Sequence, residues 1–199
     1  MNRGARGQVI AGNATQKMTP RIRSIILVTH RWLGLSSSLV LAIVGVTGAV
    51  LVFPGTSPLK GIAGPLHERL GMGQFGWWIV VIVTIAAVFL ELGGLYLWWK
   101  RKSIWVRMRS GWRPALFDLH HAVGLLSLPL MLLLAVSGVG MAFVTPQNQP
   151  QLRRVIFDFH TTRGFSTLIK VVYAIGTMGF MVQGVTGVAM WWKPRRALT

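Results

Sequence analysis

Four apolar runs, at about residues 25–53, 77–99, 115–144 and 167–192, leave this 199-residue chain few ways to fold. Each is long enough for the roughly 20 residues a helix needs to cross a hydrocarbon layer about 30 Å thick. Inside such a layer every backbone N–H and C=O must find its partner within the segment, so runs of this kind cross as helices. They take up about half the chain, which leaves no room for a separate soluble core. The expected fold is an all-α membrane protein, a single four-helix bundle over 23–196 behind a disordered basic tail over 1–22. The first run is too long for the apolar part of a cleaved signal and reads as a retained first helix.

The chain holds 21 Lys and Arg against four acids, Glu68, Glu91, Asp118 and Asp158, for a net charge of +17. An excess of this size can mark a nucleic-acid binder, but its distribution argues for a membrane surface instead. Fifteen of the cations fall in the first 31 residues, the 100–113 loop and the C-terminal tail, and six in the 54–76 loop and the 145–170 stretch. That is the positive-inside pattern of a multi-pass protein with four crossings and both termini in the cytoplasm. The expected partner is membrane lipid, with no nucleic acid. Cysteine is absent, which removes disulfides, thiolate metal ligands, iron–sulfur clusters and covalent c-type haem attachment.

The chain is also written twice. "HRWLGLSSSLVLAIVGVTGAVLVF" (30–53) lies over "HHAVGLLSLPLMLLLAVSGVGMAF" (120–143) without a gap. His30 meets His120, Gly34 meets Gly124, Thr47 meets Ser137, Gly48 meets Gly138 and Phe53 meets Phe143. Residues 67–100 lie over 160–193 in the same way, bringing together His67 and His160, Gly71 and Gly164, Gly94 and Gly187, and the two Trp-Trp-Lys ends. Leucine and valine match by chance in any two apolar helices; shared His, Gly and Trp-Trp-Lys do not. The repeats span 25–100 and 115–193. They are two helical hairpins joined by the basic loop and related by parallel repetition, since each begins on the inner side.

H-x-x-x-G recurs four times, as His30/Gly34, His67/Gly71, His120/Gly124 and His160/Gly164. On a helix, positions i and i+4 share a face, so each glycine is expected to leave a hollow one turn from an imidazole, where a flat macrocycle fits. An up-down-up-down bundle sets the first and third helices across one diagonal and the second and fourth across the other. One His/His pair is then expected near each membrane face: His30 with His120 at the cytoplasmic side, His67 with His160 at the outer side. Trp98 and Trp99 read as a cytoplasmic aromatic belt. His67 lies 31 residues earlier, about 46 Å along an unbroken helix, so Gly71, Gly73 and Gly76 are expected to break the helix and return His67 to the bundle. Pro129 is expected to kink the third helix.

These histidines point to two b-type haems with bis-histidine ligation, which need axial nitrogens, an apolar slot and cations near the propionates. Arg31, Arg163 and Arg69 are the propionate candidates. His121 is a propionate or proton partner, or an alternative ligand. Asp118 and Asp158 either orient an imidazole or mark helix starts. Glu91, an acid inside the second span, serves quinone binding or proton uptake, or else bonds a neighbouring helix. The small-residue stripe Gly34, Ser38, Gly45 and Gly48 reads as helix packing, with Gly34 alone given to haem. A single interfacial histidine is ordinarily a hydrogen-bonded anchor; four in register, each with the same glycine, point to ligation. Structural zinc wants four converging ligands, and "HERLG" has Gly71 where H-E-x-x-H needs its second histidine.

"HRWLGL…VGVTGAVLVF", "LHERLGMG…GLYLWWKRK", "DLHHAVGLLSLPLMLLLAVSGVGMAF" and "FHTTRGF…TGVAMWWKPRR" resemble the PepSY-associated transmembrane family of bacterial inner-membrane proteins, over nearly all of 25–196. The resemblance implies a link to iron uptake, since some relatives look like ferric-siderophore reductases that move electrons through two b haems to release iron in the periplasm. His30, His67, His120 and His160 occupy the motif histidine positions. Larger members insert periplasmic PepSY domains between helices, whereas both outer loops here are about 22 residues long. The expected function is therefore that of a transmembrane haem oxidoreductase, with a quinol or cytoplasmic reductase as electron donor and a periplasmic acceptor, plausibly a ferric chelate. The rival readings are a quinol- or ascorbate-type di-haem oxidoreductase similar to the cytochrome b561 group, a haem-free accessory protein of an uptake or secretion complex, and a membrane anchor that passes electrons to a partner.

Overall fold

A computed structural model describes residues 5–53, 55, 57–99, 105–107 and 111–192, with side chains from Arg21 onward. The described chain forms six helices: α1 (Ala5–Leu51), α2 (Pro58–Arg69), α3 (Gly73–Trp99), α4 (Trp112–Phe143), α5 (Pro150–Thr161) and α6 (Thr167–Trp191). Four are long and apolar enough to cross a membrane: Arg21–Leu51 within α1, then α3, α4 and α6. The protein is a multi-pass membrane protein, all-helical and with four candidate spans among the described residues. The helical backbone of α1 reaches back to Ala5, into the segment expected as a tail. Residues 1–4, Lys100 and 193–199 lie outside the described residues.

The packing is inside-out relative to a water-soluble bundle. Leu39 and Leu126 are 71% and 77% exposed and face where lipid would be, while Ser37, Thr47, Glu91, Ser137, Thr177 and Thr186 are buried. Hydrocarbon offers no partner to a polar group, so the hydroxyls spend their protons on their own helices. Thr47 donates to the Ile43 carbonyl (2.6 Å), Thr177 to Ala174 (2.9 Å) and Thr186 to Val182 (2.6 Å).

α1 packs against α3 and α6, and α4 packs against the same two helices. The diagonals are therefore α1/α4 and α3/α6. Lipid is as apolar as leucine, so small residues that let backbones approach drive such contacts. A Cβ on Gly45 would lie 2.6 Å from the Thr177 carbonyl oxygen of α6, and one on Gly184 would lie 3.1 Å from the Ser38 carbonyl oxygen of α1. Ala87, Met131, Ala135 and Phe180 fill the middle of the bundle. Pro129 lies within α4, which runs on to Phe143.

α2 and α5 are the departure from expectation. The segments 54–76 and 145–166 read as loops in the sequence, but each carries a short helix with its own signals. Ser57 caps α2 by accepting from the Leu59 N–H (3.3 Å), and Pro58 follows it, where a missing N–H costs nothing. α2 ends at Leu70, in the left-handed region (φ 52°), and the chain reverses through Gly71 (φ 71°) and Gly73 (φ 59°) into α3. α5 also starts on a proline and ends on a left-handed residue, Thr162 (φ 55°), followed by Gly164 (φ 80°). α5 sets Arg153 and Arg154 beside Leu152, Val155 and Ile156, the composition of a helix lying along a membrane interface. α2 packs on α1 and α3, and α5 on α4.

The Gly45 contact is testable. Gly45→Val forces a side chain into the Thr177 carbonyl and is expected to cost about 1–3 kcal/mol through overpacking, read as a lower thermal midpoint in detergent. Gly61→Ala, whose methyl meets nothing within 4 Å, should leave the midpoint unchanged or slightly raised.

Candidate functional site

The bundle brings the four motif histidines together as two pairs. His30 of α1 and His120 of α4 face each other across a diagonal, ring centroids 6.3 Å apart and planes at 89°. His67 of α2 and His160 of α5 stand 6.1 Å apart at 54°. One metal ion held between two imidazole nitrogens at about 2 Å each sets the centroids about 6 Å apart. Both pairs have that spacing. His67 rests on Gly48 of α1 and His160 on Gly138 of α4. Gly48 is 18 residues from His30, and Gly138 is 18 residues from His120, about 27 Å of helix in each case. The pairs therefore sit at matched heights near opposite ends of the bundle. One is at the end where the Arg21–Leu51 span and α4 begin and α3 and α6 finish, called the basic end for the Lys and Arg of its flanking sequence; the other is at the far end.

Each ring is seated on a glycine, but not the expected one. A Cβ on Gly94 would stand 3.4 Å from His30 Cε1, and on Gly187 3.7 Å from His120 Cε1. On Gly48 it would stand 3.2 Å from His67 Cε1, and on Gly138 3.4 Å from His160 Cε1. These glycines match each other in the repeat alignment. Gly48, read as helix packing, is an imidazole seat. Gly34 and Gly124 line a cavity of about 500 Å³ beside His30 and His120, and the Gln183 amide closes on Gly124, 3.1 Å from where its Cβ would stand. Gly71 and Gly164 instead lie beyond the ends of α2 and α5 with positive φ. They reverse the chain and form no hollow on a helix face, because each helix stops before reaching them.

The Nδ1 atoms show which ring nitrogen is available. His67 Nδ1 lies 3.0 Å from the Val44 carbonyl and 3.2 Å from Thr47 Oγ1. A carbonyl only accepts, so Nδ1 carries the proton and Nε2 the lone pair. Ser137 Oγ lies 2.9 Å from His160 Nδ1, and Thr186 Oγ1 lies 2.9 Å from His120 Nδ1. Those hydroxyls have helix carbonyls of their own to donate to, Leu134 and Val182, which leaves each oxygen able to accept from Nδ1–H. In three rings Nε2 is thus the free nitrogen, the arrangement that aims and strengthens a metal-ligating imidazole. His30 differs. Its Nδ1 is buried, faces the Leu90 carbonyl outside hydrogen-bond geometry, and has no partner among the described residues.

The model of the PepSY-associated transmembrane region matches residues 54–153, half of the chain. The protein belongs to the PepSY-associated transmembrane family. The matched stretch takes in α2, α3, α4 and the start of α5, and so contains His67 and His120. No curated protein and no solved structure matches the chain.

The remaining candidates of this PepSY-associated protein divide by position. Arg31 and His121 line the basic-end cavity. Arg31 also stacks over Trp32 at 5.6 Å. His121 turns Nδ1 to the Phe117 carbonyl (2.8 Å), its ring centroid 6.2 Å from that of His120. Asp118 does not orient His120: it is held by Arg107 through Nε (2.8 Å), Nη2 (3.1 Å) and the backbone N–H (3.1 Å), which pins residues 105–107 to α4. Asp158 closes α5 through its carbonyl, which accepts the Arg163 N–H at 3.0 Å. Arg163 lies over Phe157 at 6.0 Å beside Arg153 and Arg154, and Arg69 is exposed at the end of α2. Glu91 lines the basic-end cavity, and neither carboxyl oxygen has a partner among the described residues. Gln183, unremarked in the sequence, donates to the His120 carbonyl at 2.8 Å. Spacing alone does not single out the hydroxyls of Thr47, Ser137 and Thr186, although Thr47 and Ser137 coincide in the repeat.

Burial, followed by the adjacent His67 imidazole, holds His160 down to about 4 against the ordinary 6.5, and burial also lowers His67. Both rings are neutral at neutral pH, the form that binds metal. An unfolded chain takes up these protons first as pH falls, so the folded state loses stability between pH 6.5 and about 4. Thermal midpoints of cofactor-free protein should drop across that window, and His160→Phe should flatten the slope.

Proposed function

We propose that this protein is a di-haem b-type cytochrome of the bacterial inner membrane that carries electrons from the cytoplasmic to the periplasmic face. One observation carries the reading: two imidazole pairs at metal-bridging separation, at matched heights, at opposite ends of one bundle. The residues fit the group. Each pair supplies two neutral nitrogens, and the remaining coordination positions of the iron belong to the macrocycle. Among the described residues no three His, Asp or Glu side chains converge on one point, so the pairs suit a metal that brings its own equatorial ligands. At the basic end a largely apolar cavity lies beside the pair, with Arg31 at hand for a propionate; at the far end Arg163 holds the corresponding place in the sequence reading. Bound haem supplies one-electron chemistry, and the chain supplies ligation, orientation and a water-poor path.

The positive-inside distribution supports a cytoplasmic basic end, with the His30–His120 pair as the donor side, served by a quinol or a cytoplasmic reductase. The acceptor at the far end is a ferric chelate, as the family resemblance implies. The rival readings are a quinol oxidoreductase of the cytochrome b561 type and a haem-free accessory protein.

Purified protein expressed with haem available should show a b-type reduced-minus-oxidised spectrum and a haem-to-protein ratio near two. His67→Ala and His160→Ala should each remove the same single haem, and His30→Ala and His120→Ala the other. A folded but colourless wild type would favour the accessory protein, and loss of both haems from any one change would overturn the pairing. Reduction of an external ferric chelate by proteoliposomes loaded with reductant separates the ferric reductase from the quinol enzyme.

A further inference from the structure

Three of the four imidazoles have a hydroxyl at Nδ1, and the repeat identifies the residue that withholds the fourth. Thr47 holds His67, and its repeat counterpart Ser137 holds His160. Thr186 holds His120; its counterpart, one residue before the Gly94/Gly187 match, is Gly93. Gly93 lies beside His30, whose Nδ1 is the orphan. Lack of space does not explain the glycine. A Cβ there would meet His30 Nδ1 at 3.7 Å and Ile26 Cγ2 at 3.6 Å, both ordinary contacts, and a hydroxyl on that Cβ is within reach of the nitrogen. Gly93 also lies in mid-helix and outside the positive-φ positions, so its backbone does not require glycine.

We infer that Thr47, Ser137 and Thr186 are positioning residues for the haem-ligating imidazoles, and that Gly93 makes the two haem sites unequal, giving the His30–His120 site the higher reduction potential. This rests on the di-haem reading. An acceptor on Nδ1–H pushes electron density through the ring to Nε2 and raises its basicity, which favours the more positive, oxidised iron. At the far end both rings have a hydroxyl acceptor; at the basic end only His120 has one, and His30 faces the Leu90 carbonyl alone. The difference comes from one side chain on α3 that the second hairpin carries on α6 and the first does not.

Full-length Gly93→Ser and Gly93→Thr, purified in detergent, would be titrated redox-wise with each haem followed by its absorbance. The basic-end wave is identified as the one absent from His120→Ala. It should lie above the far-end wave in wild type and move negative in both Gly93 variants, while the far-end wave stays in place. Thr186→Val should move the same wave positive and weaken haem retention at that site about 10- to 100-fold, with Thr186→Ser restoring both. Ser137→Ala should move only the far-end wave. Gly93→Ser or Thr186→Val that keeps two haems and shifts neither wave overturns the inference alone, as does a wild type whose far-end wave is the higher. A wild type that binds no haem overturns the di-haem reading and this inference with it.

Discussion

Hydrocarbon will not solvate a polar group, and the rest of this structure follows from that. Each span must turn its leucines and phenylalanines outward and settle its polar atoms inside. The serines and threonines do so by bonding back to their own helices, which leaves each hydroxyl oxygen with lone pairs able to accept. Thr47, Ser137 and Thr186 are therefore acceptors already in place when an imidazole arrives. The same constraint makes Glu91 and His30 Nδ1 conspicuous, because their buried atoms have no such settlement among the described residues.

Glycine is the second requirement. Helices driven together without a hydrophobic effect need small surfaces, and Gly45 and Gly184 serve that need by letting α1 approach α6. A ring lodged between helices needs the same concession, and Gly48, Gly94, Gly138 and Gly187 make it, one for each histidine. Helix packing and ring seating thus draw on one residue type along the same α1 stripe. That is why the stripe could not be divided by inspection, with Gly45 facing a helix and Gly48 facing a ring.

Duplication turns one such arrangement into two. A hairpin carrying a histidine near the start of its first span and another on the short helix that follows, when repeated, closes two pairs across one bundle. The pseudo-symmetry extends to the hydroxyls and the seats and lapses at particular residues: Gly93 against Thr186, and Glu91 against Gly184. Both of these lapses lie on α3 and near His30.

The sequence by itself determined the four spans, the duplication and the four histidines that the bundle pairs. Apolar length and exact repetition are properties of a chain read in one dimension, and the hydrocarbon layer admits one solution for such runs. It also implied that His67 could not stay on an unbroken helix. Only the tertiary structure decided that His67 and His160 ride on short helices of their own, that Gly71 and Gly164 turn the chain rather than make room for a ligand, and that Asp118 belongs to Arg107. It also decided which glycine and which hydroxyl serve each ring. Those facts depend on the rotation and register of one helix against another, and residues up to 66 positions apart, such as His120 and Thr186, are brought together by packing that no spacing within a single helix encodes.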